Sequence, residues 1–535
     1  MYALFLALSL FIVAAVPFRS YAQTFNRNVS DLVGFDGEPS IAVNPVNQNN
    51  VVAGWMRLRL DGRIWIAVRT SFDGGATWTP MQFLPHAAQD YGSADVSIAF
   101  HRTGIAYLSY VDFRMSPDTV GGVYLVHSTD GGLSWSSPRE VVSTNDRPDL
   151  PIDRPWIAVD NSGGTYDGTV YVSSMSAYWF PGEHHMYVRS TQDRGVTWST
   201  LYQVDDSAFS PGLMTKAYGA ISVGADGRVY TAFMSYDTKA SPLIRILSAT
   251  TTDAGATWRR SLLTNVSLSK SITGYTAGYC VAADPSRAGH AVLAWIDERY
   301  GDIDVLLKHT TDGGATWSLP VRINDDPTGN GVGQDLVWAQ FAPAGLLAIV
   351  WRDRRMNGAG LTVPSDIYGT ISRDGGYSFP ENQRLSTASS PYMALGCCNS
   401  FLGVALTDSS IITDWSDYRS NDWEVYVHTA SMTVSVNEST ASKLPGGMLE
   451  HNYPNPFSES TVIAYSLPSL ENITLKIYDT LGRHIETLVE GWQDAGSHQV
   501  TFTLPAAAAG NVYFVRLTAG ALTKTSSMTL LRFLQ

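Results

Sequence analysis

The chain has 535 residues, 44% of them hydrophobic and 16% charged, with a formal net charge of −13. A chain this long exceeds one ordinary core unless the core is modular, and its 15 Trp, 26 Tyr and 19 Phe argue against extended disorder. The acidic balance gives no reason to expect nucleic acid as a partner, because phosphate binding needs a basic surface.

The N-terminus reads as an export signal. Ala3 to Val16 is apolar but short of a bilayer span, and Ser20-Tyr21-Ala22 offers the small residues a signal peptidase requires. Residues 1–22 are therefore expected to be a signal peptide cut after Ala22. The mature chain is expected to lack a transmembrane segment.

Six copies of one short signature follow, at 71–78, 128–135, 190–198, 251–258, 310–317 and 372–379. Their aspartates (Asp73, Asp130, Asp193, Asp253, Asp312 and Asp374) lie 57 to 63 residues apart. Each copy lies between the third and fourth of a unit of four β-forming runs. In the first unit these are Pro39–Val43, Asn50–Trp55, Ile64–Arg69 and Met81–Leu84. Four strands per unit at such a period predict the blades of an all-β propeller. Phe401–Leu406, Ser410–Trp415 and Glu424–Thr429 form a further unit that lacks a signature and a fourth strand. Thr24 to Ser30 is expected to supply that strand and close the ring, which favours seven blades over six.

These signatures resemble the Asp-box, or bacterial neuraminidase (BNR) repeat, and the resemblance covers roughly residues 24–435. The physics of the motif assigns it to architecture. Its glycines permit positive φ in a tight turn, its Asp accepts turn N–H groups, and its Trp buries a large apolar surface.

Beyond a polar linker at 436–450, residues 451–535 hold Tyr453-Pro454-Asn455-Pro456-Phe457, Ile477-Tyr478-Asp479, Leu481-Gly482, Gly510-Asn511-Val512-Tyr513-Phe514 and a final strand with Lys524. This resembles the type A C-terminal sorting domain of the type IX secretion system, a small β-sandwich. Strands are expected at Thr461–Ser466, Ile473–Tyr478, His498–Thr503, Val512–Thr518 and Thr525–Leu530. The resemblance implies handling by that secretion machinery and a secreted or cell-surface location in a Gram-negative bacterium.

A ligand site is expected on the face opposite the Asp-boxes, where the links between blades and the second-to-third loops gather polar groups. The catalytic candidates there are Glu38, Asp95, Asp153 and Tyr218, with Arg154 as an anion contact. Three loops repeat a pattern: Trp295-Ile296-Asp297-Glu298-Arg299, Trp351-Arg352-Asp353-Arg354-Arg355 and Trp415-Ser416-Asp417-Tyr418-Arg419. Arg299, Arg355 and Arg419 are either a ligand rim or ion-pair partners that bridge blades above a core Trp. Cys280, Cys397 and Cys398 are disulfide candidates, and buried free thiols are the alternative. No metal or other cofactor is expected.

Resemblance to sialidases implies a glycoside hydrolase with an arginine triad, a Tyr nucleophile and an Asp acid/base. The early Arg-Ile-Pro motif of that family is absent, and Gly37-Glu38-Pro39-Ser40 stands in its place. The expected function is thus a secreted, carbohydrate-active, sialidase-like propeller acting on extracellular glycan or glycoprotein. The alternative is a non-catalytic propeller that binds glycan or protein.

Overall fold

The computed structural model describes residues 25–31, 34–114, 119–144, 146, 152–176, 185–205, 220–237, 241–268, 278–393, 401–431, 448–449, 452, 455, 457–467, 471–480, 482–494, 496–504, 512–519 and 522–530. Every regular element among them is a β-strand. The chain divides into two compact units, Met1–Thr433 and Val434–Gln535.

The described residues of the first unit form seven four-stranded antiparallel sheets. The innermost strands are Phe35–Val43, Gly92–Phe100, Ile152–Val159, Ala220–Val223, Tyr279–Ala283, Gln334–Phe341 and Leu402–Leu406. Each packs beside the next, and the seventh packs beside the first, so the sheets close a ring. Inner and second strands are buried over nearly their whole length because both faces are covered by neighbouring blades. The core lies between blades, as where Val52, Ile66 and Val68 of blade one meet Val96, Ile98 and Leu108 of blade two.

Blade seven is completed from the other end of the unit. Phe25–Asn28 pairs with Glu424–Ser431 in the register Phe25↔Thr429 to Asn28↔Tyr426. Val29 N–H donates to Val425 O at 2.9 Å and Asp36 N–H to Trp423 O at 3.0 Å, which latches the junction with blade one.

The six Asp-boxes share one internal hydrogen-bond scheme. In the first, the Ser71 hydroxyl donates to Asp73 Oδ1 (2.8 Å) and accepts from Gly75 N–H (2.8 Å), while Thr77 N–H donates to Asp73 Oδ1 (2.7 Å). In the third and fourth, the Thr197 and Thr257 hydroxyls and backbone N–H groups hold Asp193 and Asp253 at about 2, well below the usual carboxylate range. The turns also dock on the preceding blade. Asn50 Nδ2 donates to Gly131 O at 3.0 Å, and the Thr70 hydroxyl donates to Gly132 O at 3.2 Å. The motif therefore serves blade-to-blade closure.

A second stitch joins the inner strands. Ser40 Oγ accepts from Ile98 N–H (3.2 Å), Ser97 Oγ from Ile157 N–H (3.2 Å) and Ser222 Oγ from Ala283 N–H (3.0 Å). Cys280 Sγ performs the same task, accepting from Ala339 N–H at 3.2 Å. Cys280 is a buried free thiol, which corrects the disulfide expectation for this residue. A side chain already engaged with the next blade replaces the covalent bridge. Cys397 and Cys398 lie outside the described residues.

The second unit holds two sheets, one of Met448–Leu449, Ser460–Leu467 and Gly496–Thr503, the other of His484–Gln493, Glu471–Asp479, Val512–Ala519 and Leu522–Thr529. Ile463, Tyr465 and Phe502 of the first pack against Leu475, Ile477, Tyr513 and Val515 of the second, giving a β-sandwich core.

Candidate functional site

Four inner strands carry a bulge near their first residues, between Gly37 and Ser40, Ala94 and Val96, Asp153 and Trp156, and Asp335 and Trp338. At each bulge a non-glycine residue takes a left-handed conformation: Glu38 (φ 49°), Asp95 (φ 46°), Arg154 (φ 48°) and Leu336 (φ 56°). Such residues cost on the order of 1 kcal/mol apiece and persist where surrounding structure enforces them. Glu38 and Arg154 also precede prolines, which disfavour helical backbone at that position. The bulges lie at the strand ends that pair with the second-to-third loops, as in Phe35↔Leu58, and so on the face opposite the Asp-boxes.

Blades one to three thereby gather four of the five catalytic and anion-contact candidates. Asp95 lies within hydrogen-bond reach of both Glu38 and Asp153. Arg154 Nη2 stands 3.9 Å from Glu38 Oε1, and Arg154 Nε 3.9 Å from Asp153 Oδ2. All four side chains are buried. Burial, with the Asp153 charge beside it, pushes the Asp95 carboxyl up to about 7, and burial raises Asp153 as well. Two carboxyls this close cannot both ionise freely, so the pair shares a proton near neutrality. Tyr218 lies outside the described residues.

An aromatic layer underlies the cluster. The Arg154 guanidinium lies over the Phe401 ring, 5.2 Å from its centroid. Phe401 packs on Trp156 at 5.0 Å, and Trp156 stacks on Trp338 at 4.5 Å and 25°. Trp156 belongs to blade three and Trp338 to blade six, so their stack spans the ring. Trp156 and Trp338 also line a channel cavity of about 420 Å³, with Val43, Phe100, Phe341 and Leu406 farther along the strands toward the Asp-box face. Glu38, Asp95, Asp153 and Arg154 are not among its lining residues. The layer was not read from the sequence. Its signal is an aromatic at inner-strand positions where other blades carry Ser40, Ser97 and Cys280.

A family model described as the BNR repeat-like domain matches residues 49–324, more than half of the chain. The chain belongs to that family. Residues 451–530 of this BNR protein match the secretion system C-terminal sorting domain. The protein is accordingly a secreted or cell-surface product of a Gram-negative bacterium, handled by type IX secretion. No helix among the described residues is long and apolar enough to cross a membrane. Among solved structures, the BNR chain is similar to a protein from Dyadobacter fermentans (14% identity, 76% of this chain and 99% of that one, TM-score 0.43). It is also similar to a Hadza microbial sialidase (16%, 72% and 73%, 0.43) and to an alpha-L-arabinanase of Penicillium chrysogenum (11%, 76% and 97%, 0.42).

The repeated Trp-x-Asp-x-Arg loops of this BNR propeller are held internally. Trp295, Trp351 and Trp415 donate to Asp297, Asp353 and Asp417 at 3.0, 2.8 and 2.8 Å, with each indole buried. Arg299, Arg355 and Arg419 bind the same three carboxylates, at 2.6, 2.8 and 2.6 Å. Each arginine then reaches the preceding blade: Arg299 to Asn265 O (3.0 Å), Arg355 to Asp325 (2.5 Å) and Arg419 to the Thr387 hydroxyl (3.2 Å). Blade one builds the same unit from separate strands, with Trp55 and Arg57 on Asp36 at 2.6 and 2.7 Å. This geometry matches the blade-bridging reading of the three loops and does not bring Arg299, Arg355 or Arg419 to Arg154.

Proposed function

We propose that the protein is an exported, carbohydrate-active propeller that engages extracellular glycans at the channel mouth opposite its Asp-boxes. The observation that carries this reading is the convergence of Glu38, Asp95, Asp153 and Arg154 from three successive blades at bulges with left-handed backbone. The Asp-box resemblance to sialidases supplies the ligand class. In a cleavage reaction Asp95 is the proton donor, because a carboxyl that titrates near 7 gives up its proton readily at neutral pH. That proton passes to the departing sugar oxygen while water adds to the sugar carbon, and the surplus proton of the water restores the carboxyl. Asp153 is the hydrogen-bond partner of Asp95, and Arg154 stands between Glu38 and Asp153. Arg299, Arg355 and Arg419 remain as outer-rim candidates whose first task is holding blades together.

A second reading, a glycan-binding propeller without turnover, is favoured by one observation. Asp95 and Asp153 stand within hydrogen-bond reach, whereas carboxyls that flank a glycosidic bond stand about 5 to 9.5 Å apart. The purified chain tested on fluorogenic glycosides, a sialoside included, and on a glycan array separates the readings. Turnover lost in Asp95→Asn supports the hydrolase. Array binding lost in Arg154→Ala without turnover supports the binding protein, and neither signal from the folded chain refutes the glycan reading.

A further inference from the structure

We infer that the channel cavity is a second binding site, which takes an uncharged, planar heteroaromatic molecule from the Asp-box face and seats it on the Trp156–Trp338 layer. The inference goes beyond the glycan reading and does not depend on it. A volume of about 420 Å³ lies in the range of small-molecule sites. The far end is blind. Past the two indoles lies a space of about 10 Å³ lined by Gly278, Leu336 and Phe401, barely enough for one water.

The open end lies among the first-to-second loops, where Arg102, Asn161, Pro285 and Pro343 line the cavity and are exposed. Those loops belong to the Asp-box face. Asn49 O accepts from Gly74 N–H at 2.9 Å, and Gly289 O accepts from Gly313 N–H at 2.9 Å.

The lining sets the ligand class. Among the described lining residues Arg102 is the one charged side chain, and its guanidinium is held at the mouth by Asp167 at 2.9 and 2.8 Å. A charged ligand group inside would therefore be buried without a partner. A plain hydrocarbon fails for the opposite reason. Each innermost strand is the edge of its sheet, and its N–H and C=O groups outside the side-chain stitches face the channel. The Gln340 amide is exposed among them. Covering such groups with apolar surface strips their water without replacement. A pyranose carries hydroxyls around its whole rim, whereas these walls offer Val43, Phe100, Val223, Phe341 and Leu406 with that one amide. A flat ring with donors and acceptors on its edge meets both demands. It also meets the indole floor in the stacked or edge-to-face contacts that aromatic rings favour.

Titration calorimetry on the full-length chain tests this, with indole-3-carboxamide, indole-3-carboxylate and methyl glucoside as probes. The carboxamide should bind, and the carboxylate and the glucoside should bind at least about tenfold more weakly, the scale of one hydrogen bond or one unpaired charge. Gln340→Leu should weaken the carboxamide about tenfold. Val223→Trp, which fills the channel near its mouth, should abolish its binding, with Val43→Trp as the second blocking variant if Val223→Trp does not fold. Array binding of glycans, which belongs to the opposite face, should survive the blocking variant. A folded chain that does not bind the carboxamide, equal binding of either other probe, or binding unchanged in both Gln340→Leu and the blocking variant overturns the inference and leaves the glycan reading standing. Array binding lost in a folded blocking variant overturns it too, because the channel would then hold the glycan.

Discussion

Replacing Asp414 by asparagine should stabilise the propeller at neutral pH. Asp414 lies in the second strand of blade seven, opposite Gly403 in register, at the interface with Ile41 of blade one. It is fully buried, and neither carboxyl oxygen has a hydrogen-bond partner. A Cβ on residue 403 would lie 2.3 Å from Asp414 Oδ1, so only glycine leaves room for the carboxyl. Burial pushes this group from 3.8 to about 8, with the Gly403 backbone offsetting only part. At pH 7 the folded chain therefore holds a proton that the unfolded chain has lost. At about 1.4 kcal/mol per pH decade, that costs about 4 kcal/mol. An asparagine avoids this but leaves an unsatisfied amide worth about 1–3 kcal/mol, so the net gain is roughly 1–3 kcal/mol. The sign with pH follows from the raised value. The contribution is most favourable below about 4, declines as pH rises toward 8, and is level above that. Tryptophan-detected denaturation reports the first unit, because all the tryptophans except Trp492 lie within it. Midpoints of the parent and Asp414→Asn from pH 4 to 9 should diverge progressively up to about pH 8. A constant difference, or a destabilised variant at pH 7, refutes the reasoning.

Further outcomes concern the scaffold. Gly132→Ala should destabilise by about 1–3 kcal/mol, because at φ +96° its new Cβ meets Thr70 Oγ1 at 2.6 Å and Val52 Cγ2 at 2.8 Å. Gly163→Ala, with φ +73° and open space around it, should cost less in the same melts. The depressed Asp193 and Asp253 carboxylates contribute stability that is complete above about pH 4 and lost as pH falls toward 2. Their asparagine variants should therefore show a shallower acid limb in denaturation. The Cys280 thiol, pushed up to about 12 by burial, should resist alkylation mapped by mass spectrometry until the chain unfolds, and Cys280→Ser should keep the Ala339 bond with little loss of stability.

The blades were legible because their signals are periodic. Asp, Gly and Trp recur at fixed offsets, and each set marks the turn between the third and fourth strands. The missing strand of blade seven was legible too, since an unpaired sheet edge demands a partner and Phe25–Asn28 was the unassigned segment. His484–Gln493 was not read as a strand, because it is a half-exposed edge strand whose polar residues hide the alternation. The rim arginines invited a ligand reading because sequence shows their charge and not their partner. That partner stands two residues earlier, as Asp297, Asp353 or Asp417. The bulges at Glu38, Asp95 and Arg154 left no local mark, since no glycine announces their left-handed backbone. Asp414 read as an ordinary strand residue, and only the closed ring buries it.

Hydrogen exchange on the full-length chain, with and without the glycan that binds best on the array, tests the site assignment most directly. Slowed exchange confined to the strand starts at 35–41, 92–98 and 152–157 is the predicted result. Slowed exchange at the Asp-box turns instead, with those strand starts unchanged, would contradict the placement of function on the opposite face.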